Sequence, residues 1–109
     1  MSEAQPRRVT KEEAEQLKQE HGPVFCLETD VGDVVFKIPT RPVWDRYVDS
    51  ITSDNAAQPS RTLCQACVVM PSPAEFEAML AARPGLAGTL TRLIRKEAGA
   101  NDKAEAKKL

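Results

Sequence analysis

Hydrophobic and polar positions along this chain change period several times, and each change marks an element. Thr10-Lys11-Glu12-Glu13 has the spacing of a capping box, with the Thr10 hydroxyl and the Glu13 carboxylate each meeting the other's backbone N–H. A charged helix follows to about Glu20, with only Ala14 and Leu17 as an apolar stripe, and His21-Gly22-Pro23 stops it. Val24–Glu28 and Val34–Ile38 are rich in β-branched and aromatic residues and read as two strands of a hairpin. The link Thr29-Asp30-Val31-Gly32-Asp33 supplies the turn, with Gly32 free to take positive φ. Val34, Phe36 and Ile38 share one face of the second strand, with Val35 and Lys37 on the other; Phe25 and Leu27 lie opposite Val24, Cys26 and Glu28 on the first. A lone hairpin is marginal in water, so helices must cover one face.

After Pro39-Thr40-Arg41-Pro42 the period becomes helical. Trp44, Tyr47, Val48 and Ile51 fall at i, i+3, i+4, i+7, with Asp45, Arg46 and Asp49 on the wet side. Thr52–Ser60 reads as a polar linker. The spacing then predicts a buried helix over Arg61–Met70, with Leu63, Ala66, Cys67 and Met70 on its stripe and Val68 and Val69 thickening it. Pro71-Ser72-Pro73 breaks it. Ser72-Pro73-Ala74-Glu75 starts the next helix, which carries Phe76, Met79 and Leu80 and ends at Arg83-Pro84-Gly85. A last helix carries Leu86, Leu90, Leu93 and Ile94, closed by Gly99. The expected architecture is α+β: an N-terminal helix, a β-hairpin, then a cluster of about four short helices. Residues 10–99 form one domain between a flexible N-terminus (1–9) and a flexible charged C-terminal tail (100–109).

The 109 residues suit a single domain of ordinary globular composition, 41% hydrophobic and 28% charged. Aromatics are only 5%, so aliphatic side chains and methionine fill the core. Fifteen basic and 16 acidic residues leave a net charge of −1, with no basic face for nucleic acid. No apolar run reaches the roughly 20 residues of a membrane span, and the N-terminus has no signal-peptide pattern, so a cytoplasmic protein with reduced thiols is expected.

The candidate chemistry is sparse. Cys64-Gln-Ala-Cys67 is a CxxC, and with Cys26 and His21 it offers the four ligand types of a Cys3His zinc site. Structural zinc cysteines sit on turns, whereas this pair falls inside a helix with Cys67 on the apolar stripe. A redox CxxC needs an activated thiolate at a helix N-terminus, usually beside parallel strands, which the pattern lacks. His21 fits a helix end, where an imidazolium meets the dipole, better than a general base. No phosphate-binding glycine loop, serine elbow or HExxH pattern is present. No catalytic residue, cofactor or metal is assigned, and the chain is read as non-enzymatic.

The order of segments resembles the small phage or prophage tail assembly chaperones. The resemblance runs over about residues 10–99, through His21-Gly22, Phe36-Lys37-Ile38-Pro39-Thr40-Arg41, Trp44-Asp45-Arg46-Tyr47, Arg61-Thr62-Leu63, Cys67-Val68-Val69-Met70-Pro71-Ser72-Pro73-Ala74-Glu75 and Pro84-Gly85-Leu86. It implies binding and solubilising of the tape measure protein during tail morphogenesis, contact with the tail tube protein, residence in the bacterial cytoplasm and absence from the mature virion. It also implies a longer frameshifted form, for which the Lys107-Lys108 pair offers a slippery site. Trp44, Tyr47, Phe76, Met79, Leu90 and Leu93 are the expected partner-binding groove; the same spacing also reads as core. Two further classes stay open: an accessory subunit of another complex, and the Cys/His metal or redox protein. A homo-oligomer is compatible with any of them.

Overall fold

A computed structural model describes residues 6–52, 55–99 and 106–108. Its elements run α1 (Lys11–His21), β1 (Val24–Thr29), β2 (Gly32–Lys37), α2 (Arg41–Ser50), α3 (Ala57–Cys67), β3 (Val68–Met70), α4 (Pro73–Ala82) and α5 (Leu86–Glu97). The architecture is α+β, as the pattern of periods predicts.

Local chemistry sets most boundaries. The Thr10 hydroxyl accepts from Glu13 N–H at 3.1 Å, and the Glu13 carboxylate accepts from Thr10 N–H at 3.0 Å, so the capping box is complete. Gly22, at φ 77°, ends α1. Ser72 caps α4 through Glu75 N–H, with Pro73 in the first turn. The hairpin turn is tighter than the five-residue link suggested: Thr29 pairs with Gly32 across Asp30 and Val31 alone. The Thr29 hydroxyl closes it, accepting from Val31 N–H at 3.1 Å and donating to Gly32 O at 2.6 Å. Gly32 sits at φ 136°, and a Cβ there would meet Arg7 O at 3.4 Å.

The sheet is antiparallel in the order β1-β2-β3. Its third strand corrects the sequence reading, which ran a helix through Met70. The helix stops at Cys67, and Val68–Met70 pairs with β2, Val35 opposite Met70 and Phe36 opposite Val68. Pro71 disfavours helical backbone at Met70, and the two valines suit a pleated ladder along the open side of β2. The same helix begins earlier than expected, at Ala57. Pro59 lies in its first turn, where no backbone donor is missed, so the polar segment 52–60 is only partly a linker.

The core lies between one face of the sheet and the helices. Val34 and Phe36 meet Leu63, Cys64 and Cys67 of α3, Phe76 and Leu80 of α4, and Leu90 and Ile94 of α5. Each fully buried aliphatic or aromatic side chain contributes about 1.5–3 kcal/mol. Being central, β2 is buried on both faces, Val35 included. Ile38 lies past the end of β2 and is exposed, not aligned with Val34 and Phe36 in the core. Val48 and Ile51 are exposed as well, because Val48 is turned about 100° from Tyr47 and Ile51 follows the last turn of α2 in extended conformation.

Residues 7–9 of the N-terminal segment are hydrogen-bonded to the hairpin. The buried Asp33 carboxylate accepts from Val9 N–H at 2.9 Å and from Arg8 Nη1 at 2.8 Å, and Asp33 N–H donates to Arg7 O at 2.9 Å. Residues 1–5, and the tail apart from 106–108, lie outside the described residues. Among the described residues no helix is long and apolar enough to cross a membrane.

Candidate partner-binding groove

The six residues expected to line a groove are placed in or against the core. Tyr47, Phe76, Met79 and Leu90 are buried, and Trp44 and Leu93 pack on them half-buried. The Trp44 and Tyr47 rings stand 5.5 Å apart, tilted by 46°. Their helical spacing reports packing, so they do not form an exposed apolar row.

A concave site does exist, and of these six only Tyr47 lines it. It opens between α2 and α3 and encloses about 270 Å³. Val43 and Tyr47 of α2 and Pro59 and Leu63 of α3 form its apolar wall. Arg46 and Ser50 rim it on one helix, Gln58, Thr62 and Ala66 on the other, and Asn55 closes the connecting end. The geometry follows from the sequence: Val43, Tyr47 and Ser50 recur at i, i+4, i+7 on α2, and Pro59, Thr62, Leu63 and Ala66 share a face of α3. Small side chains at Ser50, Thr62 and Ala66 keep the two helices from filling the space between them. Arg46 is its one charged lining residue, and the guanidinium has no ion-pair partner among the described residues. The sequence reading assigned Arg46 to solvent and Thr52–Ser60 to a linker, so of this site it named only Tyr47. The facing runs of small and polar residues were the available signal.

The cysteines behave as packing groups. Cys64 and Cys67 are fully buried in the core, and Cys26 is exposed on β1. Cys64 Sγ lies 3.3 Å from Thr91 Oγ1 and donates to Ala87 O at 3.5 Å. Burial pushes the Cys64 thiol up against the opposing pull of the Thr91 bond. Burial, with Cys64 adjacent, pushes Cys67 up to about 11. Partial burial, with Asp33 and Glu28 near, raises Cys26 as well. A redox CxxC needs the reverse shift. His21 lies in the last turn of α1, 3.7 Å from Glu20, and among the described residues no three His, Cys, Asp or Glu side chains gather as metal ligands. The Cys3His set weighed against in the sequence is therefore not assembled among the described residues.

No curated protein and no solved structure matches this chain. A family match spans residues 17–107, from the middle of α1 through the hairpin, the groove helices and α5. The chain belongs to the family described as domain of unknown function DUF6848.

Proposed function

We propose that this protein is a non-catalytic assembly chaperone of the phage tail type, holding an amphipathic helical segment of the tape measure protein in the groove between α2 and α3. The groove is the observation that carries the reading. At about 270 Å³ it falls just below the usual range of small-molecule pockets, about 300–1,000 Å³, and suits anchor side chains projecting from a partner helix. Its apolar wall takes the buried stripe of such a helix. Arg46, free at the rim, pairs with an acidic residue flanking that stripe. A long chain with repeated apolar stripes aggregates unless they are covered, and reversible cover by a small protein keeps it soluble while tube subunits assemble. On this reading the protein works in the cytoplasm of the bacterial host, contacts the tail tube protein during assembly, and is absent from the finished virion.

Co-expression with the tape measure gene of the same phage tests the reading. Ala66 lines the groove yet is exposed on α3, so Ala66→Glu blocks the site without disturbing the core. The expected result is loss of soluble tape measure with an unchanged melting temperature of the variant. Undiminished solubilisation by Ala66→Glu and by Arg46→Glu would remove the groove from the mechanism.

A further inference from the structure

The hairpin leaves one strand edge open. Asp33 N–H points away from β1, to Arg7 O, so Glu28 and Asp33 form a non-hydrogen-bonded pair. By alternation Cys26–Val35 and Val24–Lys37 are of the same kind, and the N–H and C=O groups of Val24, Cys26 and Glu28 point outward from β1. Among the described residues no backbone group bonds to them. Cys26 and Glu28 are exposed, while Phe25 and Leu27, on the core face, are only half-buried at this edge. Natural sheets blunt such edges with proline, a bulge or charged side chains; no proline or bulge interrupts Val24–Thr29, and its one charge is Glu28. The opposite edge, β3, is three residues long.

We propose that β1 is a self-association strand, pairing antiparallel with β1 of a second copy about a twofold axis through Cys26. The two three-stranded sheets then join into one of six strands. The strand is self-complementary in this register. Residues with outward-pointing groups meet each other, Cys26 opposite its own copy and Val24 opposite Glu28 of the second copy. On the core face Phe25 meets Leu27 in both halves of the contact, covering what each chain leaves half-exposed. Charge agrees: Val24 pairs with Lys37 within each chain, so the incoming Glu28 lies two strands, about 10 Å between backbones, from Lys37 on the same face. The two Glu28 residues lie four positions apart along the strands, about 14 Å. Sliding the register toward the turn brings these carboxylates face to face, which disfavours it. A contact confined to one strand and its neighbours belongs to the small, weak class of interfaces, so the dimer is concentration-dependent.

Sedimentation velocity on the full chain, from about 10 μM to 1 mM, reads the association directly. The expected mass rises from 12.0 kDa toward twice that value. Cys26→Ser leaves the rise intact, and Cys26→Lys, which sets two ammonium groups against each other on the axis, abolishes it with an unchanged circular dichroism spectrum. The register is read by diamide, which takes two protons and two electrons from a pair of thiols as the Sγ–Sγ bond forms. In the Cys26→Ser background, Val24→Cys mixed with Glu28→Cys cross-links between chains, and neither variant cross-links to itself, because a disulfide needs Cα atoms within about 7 Å. A monomer throughout the concentration range overturns the proposal, as does a dimer that survives Cys26→Lys. Cross-linking of Glu28→Cys to itself overturns the register.

Discussion

Asp33→Ala removes the acceptor that fastens residues 7–9 to the hairpin, and its cost can be worked from the contacts. The carboxylate receives Val9 N–H and the Arg8 guanidinium, and its side chain is only 5% exposed. A hydrogen bond to a charged group contributes about 1.5–3 kcal/mol. The Val9 bond merits the lower part of that range, because residues 7–9 cover the carboxylate at the edge of the fold, away from the core cluster. Arg8 is half exposed, so its ion pair is screened to about 1 kcal/mol or less. The sum is about 2–3 kcal/mol out of a total of about 5–15 kcal/mol for a domain of this size. In urea the midpoint falls by about 1–2 M with an unchanged slope. The pH dependence provides the specific signature. Burial pushes the Asp33 carboxyl up, but the Arg8 and Val9 bonds outweigh it and hold the group below its ordinary value. Its contribution is therefore complete above the unfolded value of about 3.9 and disappears as the pH falls through the lower folded value. Glu13, held low by the Thr10 N–H and Arg7, and Asp30, held low by Arg83, titrate in the same direction. The difference between wild type and Asp33→Ala cancels the Asp30 contribution. Placing Glu13→Gln in both proteins removes the Glu13 contribution, which depends on Arg7 of the same segment. The remaining difference should be largest near pH 7 and close toward zero below the unfolded value. A difference under about 0.5 kcal/mol at pH 7, or one independent of pH, would refute the argument.

Leu90 is fully buried, so Leu90→Ala should destabilise by about 2–5 kcal/mol in urea unfolding, whereas half-buried Leu93→Ala should cost clearly less. Equal and small losses would return both to the surface. Phe76→Ala, at the centre of the core, should cost about 3–5 kcal/mol by the same assay. Thiol titration at pH 8 should label Cys26 alone in the native protein and all three cysteines in denaturant, since Cys64 and Cys67 are buried and raised. Rapid native labelling of Cys67 would contradict its burial.

The fold was legible wherever a local signal and the global packing agreed. The Thr10–Glu13 capping box, Gly22, Ser72-Pro73 and the i, i+3, i+4 rows of α4 and α5 all declare themselves within four or five residues. The anchoring of residues 7–9 was not legible, because it depends on Asp33, some 24 residues away in sequence. An aspartate beside a turn glycine reads as turn chemistry whether or not a distant N–H reaches it. The small and polar rim of the groove was hidden for a related reason. A run of small and polar residues between two helices looks like solvent-facing surface until the helices are known to face each other.

The join between α3 and β3 ties these failures together. Leu63, Cys67 and Met70 are spaced as a helical stripe, and all three are buried, so the burial pattern alone supports a continuous helix. What it cannot express is that β2 has an open side beyond Phe36. Val68 and Met70 satisfy that side with a ladder, gaining backbone partners that a longer helix would not provide. Ending α3 at Cys67 also anchors its C-terminal end at the sheet, while Pro59 lies buried near its start. The helix is thereby held at both ends, and its Pro59–Thr62–Ala66 face stands across from α2 as a fixed wall. A groove with a fixed wall loses little conformational entropy when a helix enters it. The strand that the pattern concealed is thus what stiffens a site whose rim the pattern also concealed.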